Sequence, residues 1–177
     1  MSRDLSKSLP LKLSREAEIT YDQLILRQLS RCSRPMGVLN FVKCVMNLLA
    51  LLPPDIRLEV QKREGAIYKA IEKEKEAFCG SPSNYQYEED YRKCLATKKS
   101  DIARKAVEDL DVKHYYYIIY YLVFSDVLTY GYCQNLLLFA IAVDVLHEKG
   151  LIGFEVKQVY IGGPDVPRKP NKMVDKQ

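Results

Sequence analysis

The chain reads as all-α, a bundle of about five to six helices between an extended N-terminal arm and a C-terminal extension with room for one short strand. Three observations predict this. Residues 115–143 contain one formal charge, Asp126, and seven of the 13 tyrosines, so an element there must be covered on every side. Ile56, Val60, Ile67, Ile71 and Phe78 fall in one narrow arc at 100° per residue, with Lys, Arg and Glu elsewhere, which is a solvated helix packed along one seam. Pro35, Pro53-Pro54, Gly80-Ser81-Pro82 and Gly150 punctuate the chain at intervals suited to helices rather than strands.

Size and composition fit one folded domain: 177 residues, 47% hydrophobic and 28% charged, values that exclude a disordered chain. The division expected is an arm at 1–13, a helical domain at 14–150 and an extension at 151–177. Ser14 caps the first helix, which runs to about Cys32 with Ala17, Tyr21, Leu24, Ile25, Leu29 and Cys32 as its apolar stripe. Ser33-Arg34-Pro35 stops it and starts a second, over 36–52, apolar on nearly every face. Pro53-Pro54 ends that helix, because the residue before a proline is pushed out of the α region. The third spans 55–79 with Gly80 as its stop. A fourth is expected over 85–97, with Tyr87 and Tyr91 stacked at i, i+4. Ser100 or Asp101 then caps a short helix to Leu110, burying Ile102, Ala106, Val107 and Leu110.

The apolar stretch itself is read as two helices parted near Tyr130-Gly131-Tyr132. Its Tyr, Ile, Val and Phe content also suits a buried strand at 115–124. Helix is preferred because strand partners are scarce. Beyond Gly150, alternation from Phe154 suggests one strand, followed by a Pro- and Lys-rich tail.

Net charge is +4, gathered at the two ends around a nearly neutral middle, a weak field that suits phosphates, anionic lipid or an acidic neighbour. The five cysteines are odd in number and lack any C-x-x-C pair, and no apolar leader follows Met1. Buried thiols in a reducing compartment are therefore expected, either the cytoplasm or a virion.

Functional signals are sparse. Residues 36–52 and 127–143 are each at the lower limit for a membrane span, and Lys43 and Gln134-Asn135 would be costly in lipid, so buried core or subunit interface is preferred. Tyr115, Tyr116 and Tyr117 point 100° apart on a helix and cannot form one base-stacking platform. Arg27, Arg31 and Arg34, at i, i+4 and i+7, line one face and match phosphate oxygens, although cations at a helix C-terminus also answer its dipole. Lys98 and Lys99 form a weaker patch, and Arg168 and Lys169 lie in the tail.

No phosphate-loop, dinucleotide, nucleophile-elbow or zinc-protease motif occurs. Asp144 and His147 share a helix face, a pair that is usually structural. Asp126 is the one carboxylate in apolar sequence and is read as a helix cap. No metal, cofactor or small-molecule substrate is expected.

These readings favour a non-enzymatic assembly protein, coat- or nucleoprotein-like, that packs against copies of itself through Tyr116, Tyr117, Tyr120, Tyr121, Phe124, Leu138 and Phe139. Its basic positions would meet DNA or RNA. The alternatives are a small nucleic-acid-binding regulator or accessory subunit, an enzyme with a site around Asp126, Tyr130 or His147, and a membrane hairpin.

Overall fold

The computed structural model describes residues 15–152, 154–155 and 175–176, with side chains from 22 to 152. The arm at 1–13, the cap at Ser14, and Arg168 and Lys169 lie outside the described residues. Among the described residues six α-helices carry the fold: α1 Arg15–Cys32, α2 Val38–Leu51, α3 Pro54–Cys79, α4 Glu88–Leu110, α5 Tyr116–Val123 and α6 Val127–Glu148. The all-α expectation holds. Phe154–Glu155 pairs antiparallel with Asp175–Lys176, two residues each.

Helix α6 is the central element. It packs on α2, α3 and α5, while α4 closes the far side against α3 and α5, and α1 rests chiefly on α2. Its Leu136, Leu137, Phe139, Ile141, Val143 and Leu146 are wholly withdrawn from solvent. Phe41 of α2 supplies part of that cover, 5.2 Å from the Tyr132 ring and 6.1 Å from Phe139. The apolar surplus is thus sheltered largely within the chain. Helix α6 is long and apolar enough to cross a membrane, and half of its most apolar window is buried in the bundle.

Several boundaries follow the local chemistry. Proline stands at the first position of α3, where its missing N–H costs nothing. Gly80 ends α3 at φ 71°, where a Cβ would come within 2.9 Å of the Asn84 amide.

Others differ from expectation. Residues 85–110 hold one helix, α4, instead of two, because no Gly or Pro interrupts it. The Ser100 hydroxyl bonds the Tyr116 hydroxyl at 2.9 Å and caps nothing. Tyr91 meets Tyr85 at 5.5 Å, while Tyr87 sits before the helix in solvent. Phe78 is 38% exposed, since Glu74 and Cys79 turn inward in its place. The apolar stretch is helical, but its break is at 124–126. Asp126 caps α6, accepting hydrogen bonds from the Thr129 amide and hydroxyl, each at 2.9 Å. Gly131 lies inside α6, its carbonyl taking a bond from the Asn135 amide.

The expectation of five buried thiols is corrected for four of them. Cys32 pairs with Cys44 and Cys79 with Cys94, leaving Cys133 as the free thiol, buried. Unequal sequence spacing hid this, because each bond joins one helix end to the next helix of its hairpin.

Candidate interaction surfaces

Helices α4 and α5 run antiparallel, and their shared face gathers two sets of residues that the sequence keeps apart. Four half-exposed tyrosines of α5 form a chain of ring contacts: Tyr116 with Tyr117 at 5.4 Å, Tyr116 with Tyr120 at 6.0 Å, and Tyr120 with Tyr121 at 5.1 Å. Cations of α4 sit on this band. The Lys99 ammonium lies 4.2 Å from the Tyr120 ring centre and 4.5 Å from that of Tyr121. Its burial there holds its pKa below the ordinary lysine value. Arg92 stands 5.5 Å over Phe124.

Where the band ends, α4 and Phe124 enclose a shallow groove of about 440 Å³ lined by Glu88, Glu89, Arg92, Lys93, Ala96 and Phe124. Just beyond, the first residues of α6 are apolar and solvent-facing: Val127 is 90% exposed and Leu128 47%.

The predicted site residues divide accordingly. Tyr116, Tyr117, Tyr120, Tyr121 and Phe124 are together on this face, and Leu138 is half-buried on α6. Phe139 is a correction: it is fully buried in the chain's own core, against Phe41, and offers nothing to another subunit. Lys98 is exposed, whereas its neighbour Lys99 is spent on the tyrosine rings. Arg27, Arg31 and Arg34 are all exposed around the end of α1, with no acidic partner among the described residues.

One polar cluster was not foreseen. Asp144 shares a helix with His147 but bonds elsewhere: its Oδ2 meets His114 Nε2 at 2.9 Å and also accepts the Tyr115 hydroxyl. Burial and the Asp144 charge push the Tyr115 hydroxyl far above its ordinary range, so it stays a donor. Nearby, Arg63 forks onto Glu148 at 2.7 and 2.8 Å and bonds Glu59 at 2.8 Å, tying α3 to the end of α6. An aspartate-backed imidazole is a general-base geometry, yet none of these residues lines the groove.

The three residues named as alternative centres of an enzymatic site stand apart: Asp126 is spent as a cap, and Tyr130 and His147 are seventeen positions apart on one helix, about 25 Å at 1.5 Å per residue. Among the described residues no group of three or more His, Cys, Asp or Glu could hold a metal ion. The chain matches no protein-family model, no curated protein and no solved structure.

Proposed function

We propose that the chain is a non-enzymatic association protein that pairs with a second copy of itself through the α4–α5 face. One observation carries this: the groove beside Phe124 is lined by two acids, Glu88 and Glu89, and by two bases, Arg92 and Lys93, one turn further along the same exposed helix. A twofold contact presents the same patch from both copies, in opposite directions. Antiparallel apposition of two α4 segments therefore sets the acidic turn of each against the basic turn of the other, over Ala96 and Phe124. Tyrosine edges and half-buried apolar side chains around such a centre are the composition of protein contacts.

The charges remain available for exchange. Within the chain Lys93 reaches Glu89 only at 3.8 Å, and both side chains are more than two-thirds exposed, so that pair contributes little. Nucleic-acid contact, the companion expectation, draws support from exposed cations alone. The Tyr120, Tyr121 and Phe124 rings that would stack bases already have Lys99 and Arg92 seated on them.

Light scattering over a concentration series tests the proposal. The wild type is expected to dimerise. Glu88→Lys with Glu89→Lys, and separately Arg92→Glu with Lys93→Glu, should each weaken dimerisation about a hundredfold through like-charge apposition. An equimolar mixture of the two variants should restore a dimer. A wild type that stays monomeric, or charge variants that dimerise as before, overturns it.

A further inference from the structure

The α1–α2 hairpin has a composition unlike the rest of the molecule. Residues 23–54 contain no Asp or Glu, and four cations, Arg27, Arg31, Arg34 and Lys43. All four side chains are exposed. On α2 the outward stripe runs Leu39, Lys43, Met46 at helical spacings of four and three, with Leu39 75% and Met46 61% exposed. The opposite side of α2 is buried through Phe41, Val45 and Leu48. A helix buried on one side and showing Leu39 and Met46 on the other, beside the cation Lys43 and the amides of Asn40 and Asn47, is the pattern of an element that rests in a lipid headgroup layer.

The hairpin is also built to hold its shape. The Cys32–Cys44 disulfide joins the end of α1 to α2. Gln28, buried between them, donates to the Cys44 carbonyl at 3.0 Å. An exposed face on a stapled hairpin needs no ordering to bind, which leaves more of the contact energy for the partner.

We infer that the α1–α2 hairpin docks on the surface of an anionic lipid bilayer, with Leu39 and Met46 entering the headgroup–acyl boundary and Arg27, Arg31, Arg34 and Lys43 meeting lipid phosphates and carboxylates. Charge complementarity selects this partner, since residues 23–54 carry four cations and no acid, the hairpin's Glu16, Glu18 and Asp22 standing in the first half of α1, away from the Cys32 end. The exposed leucine and methionine favour lipid over nucleic acid, because a phosphate backbone has no use for them. The single aromatic among the described side chains of the hairpin, Phe41, is buried and can stack no base. This docking uses α1 and α2 and is independent of the α4–α5 pairing, so the charge variants of α4 should leave it unchanged.

Flotation with phosphatidylserine-rich vesicles, and with pure phosphatidylcholine vesicles, is the test. The full chain should float with the first and not the second, and high salt should release it. Each basic residue near an anionic surface is worth about fivefold in partition, so Arg27→Ala with Arg31→Ala and Arg34→Ala should lower it on the order of a hundredfold. Leu39→Ser with Met46→Ser should lower it about tenfold through lost apolar burial. All five side chains are exposed, and unchanged melting by circular dichroism would show that the variants remain folded. Absence of flotation, equal partition into both vesicle types, or a serine double variant that partitions like the wild type, each overturns the inference. Tight binding of an RNA oligonucleotide, lost in the arginine variant and kept in the serine variant while vesicles are ignored, would assign the arginines to nucleic acid instead.

Discussion

At the scale of single residues, burial decides two chemical behaviours. The Cys133 side chain has no exposure, and burial pushes its thiol up to about 12. Near pH 8 roughly one molecule in ten thousand carries the thiolate, which is the reactive form. Iodoacetamide should therefore leave Cys133 unmodified in the native protein and alkylate it after unfolding, as mass spectrometry would read; rapid native alkylation would place the thiol elsewhere. Glu74 is the second case, 3% exposed on α3 with one carboxyl oxygen lacking a hydrogen-bond partner. Burial first, and the neighbouring Asp109 second, raise its pKa, while Asp109 is held low by its bond with Glu74 and by Lys105. A carboxyl raised on folding binds its proton more tightly in the native chain. Its contribution is full below the ordinary glutamate value and is lost as pH rises through the raised one. Glu74→Gln removes that loss and keeps a donor toward Asp109. Calorimetry should find the variant equal to the wild type near pH 4 and about 1 kcal/mol more stable at neutral pH, the scale of an unmet buried polar group. No gain at neutral pH would show that Glu74 is comfortable ionised.

At the scale of elements, long-range contacts settle what local signals leave open. The ends of α3 are legible because Pro53-Pro54 and Gly80 act on their own backbones. The apolar stretch offers two break signals, Ser125-Asp126 and Tyr130-Gly131. Asp126 prevails because its carboxylate takes both Thr129 donors, while a lone glycine is tolerated inside a covered helix. The aromatic residues of the α4–α5 face could be named from composition, but Lys99 between Tyr120 and Tyr121 could not, since that seat requires the antiparallel pairing of two helices. The bond of Asp144 to His114, thirty residues away, instead of His147 has the same origin. Arg63 makes a comparable link from α3 to α6, and its hydrogen bonds hold Glu148 and Glu59 below the ordinary glutamate value. Groups depressed on folding stabilise above their unfolded pKa, and the contribution fades as pH falls through the depressed value. Arg63→Ala should thus cost about 0.5–1 kcal/mol at neutral pH, modest because the side chains are a third to a half exposed. Denaturant titration should find the difference shrinking toward zero as pH falls below the ordinary glutamate value. A cost that persists there would assign Arg63 a packing role instead.

For the whole molecule, the question is what holds the six described helices together when one of them, α6, carries more buried residues than any other. Helices α2, α3 and α5 lie directly on α6, but α1 rests chiefly on α2, and α4 reaches the core through α3 and α5. The two disulfides fall on these outer attachments, Cys32–Cys44 between α1 and α2 and Cys79–Cys94 between α3 and α4. Each closes a short loop, of sequence separation 12 and 15, whose cross-link removes about 3 kcal/mol of chain entropy from the unfolded state. Neither bond crosses the contacts of α6. Reduction should therefore lower the melting temperature sharply while leaving the helical circular dichroism signal at room temperature, because the central packing remains. The thiol count gives the decisive reading. In denaturant without reductant one thiol should react, Cys133, and after reduction all five. Five reactive thiols in the unreduced, denatured protein would mean that the bonds are absent under the conditions of purification. The α1–α2 hairpin would then depend on Gln28 and its apolar contacts alone, and its vesicle binding should become sensitive to temperature well below the melting of the core.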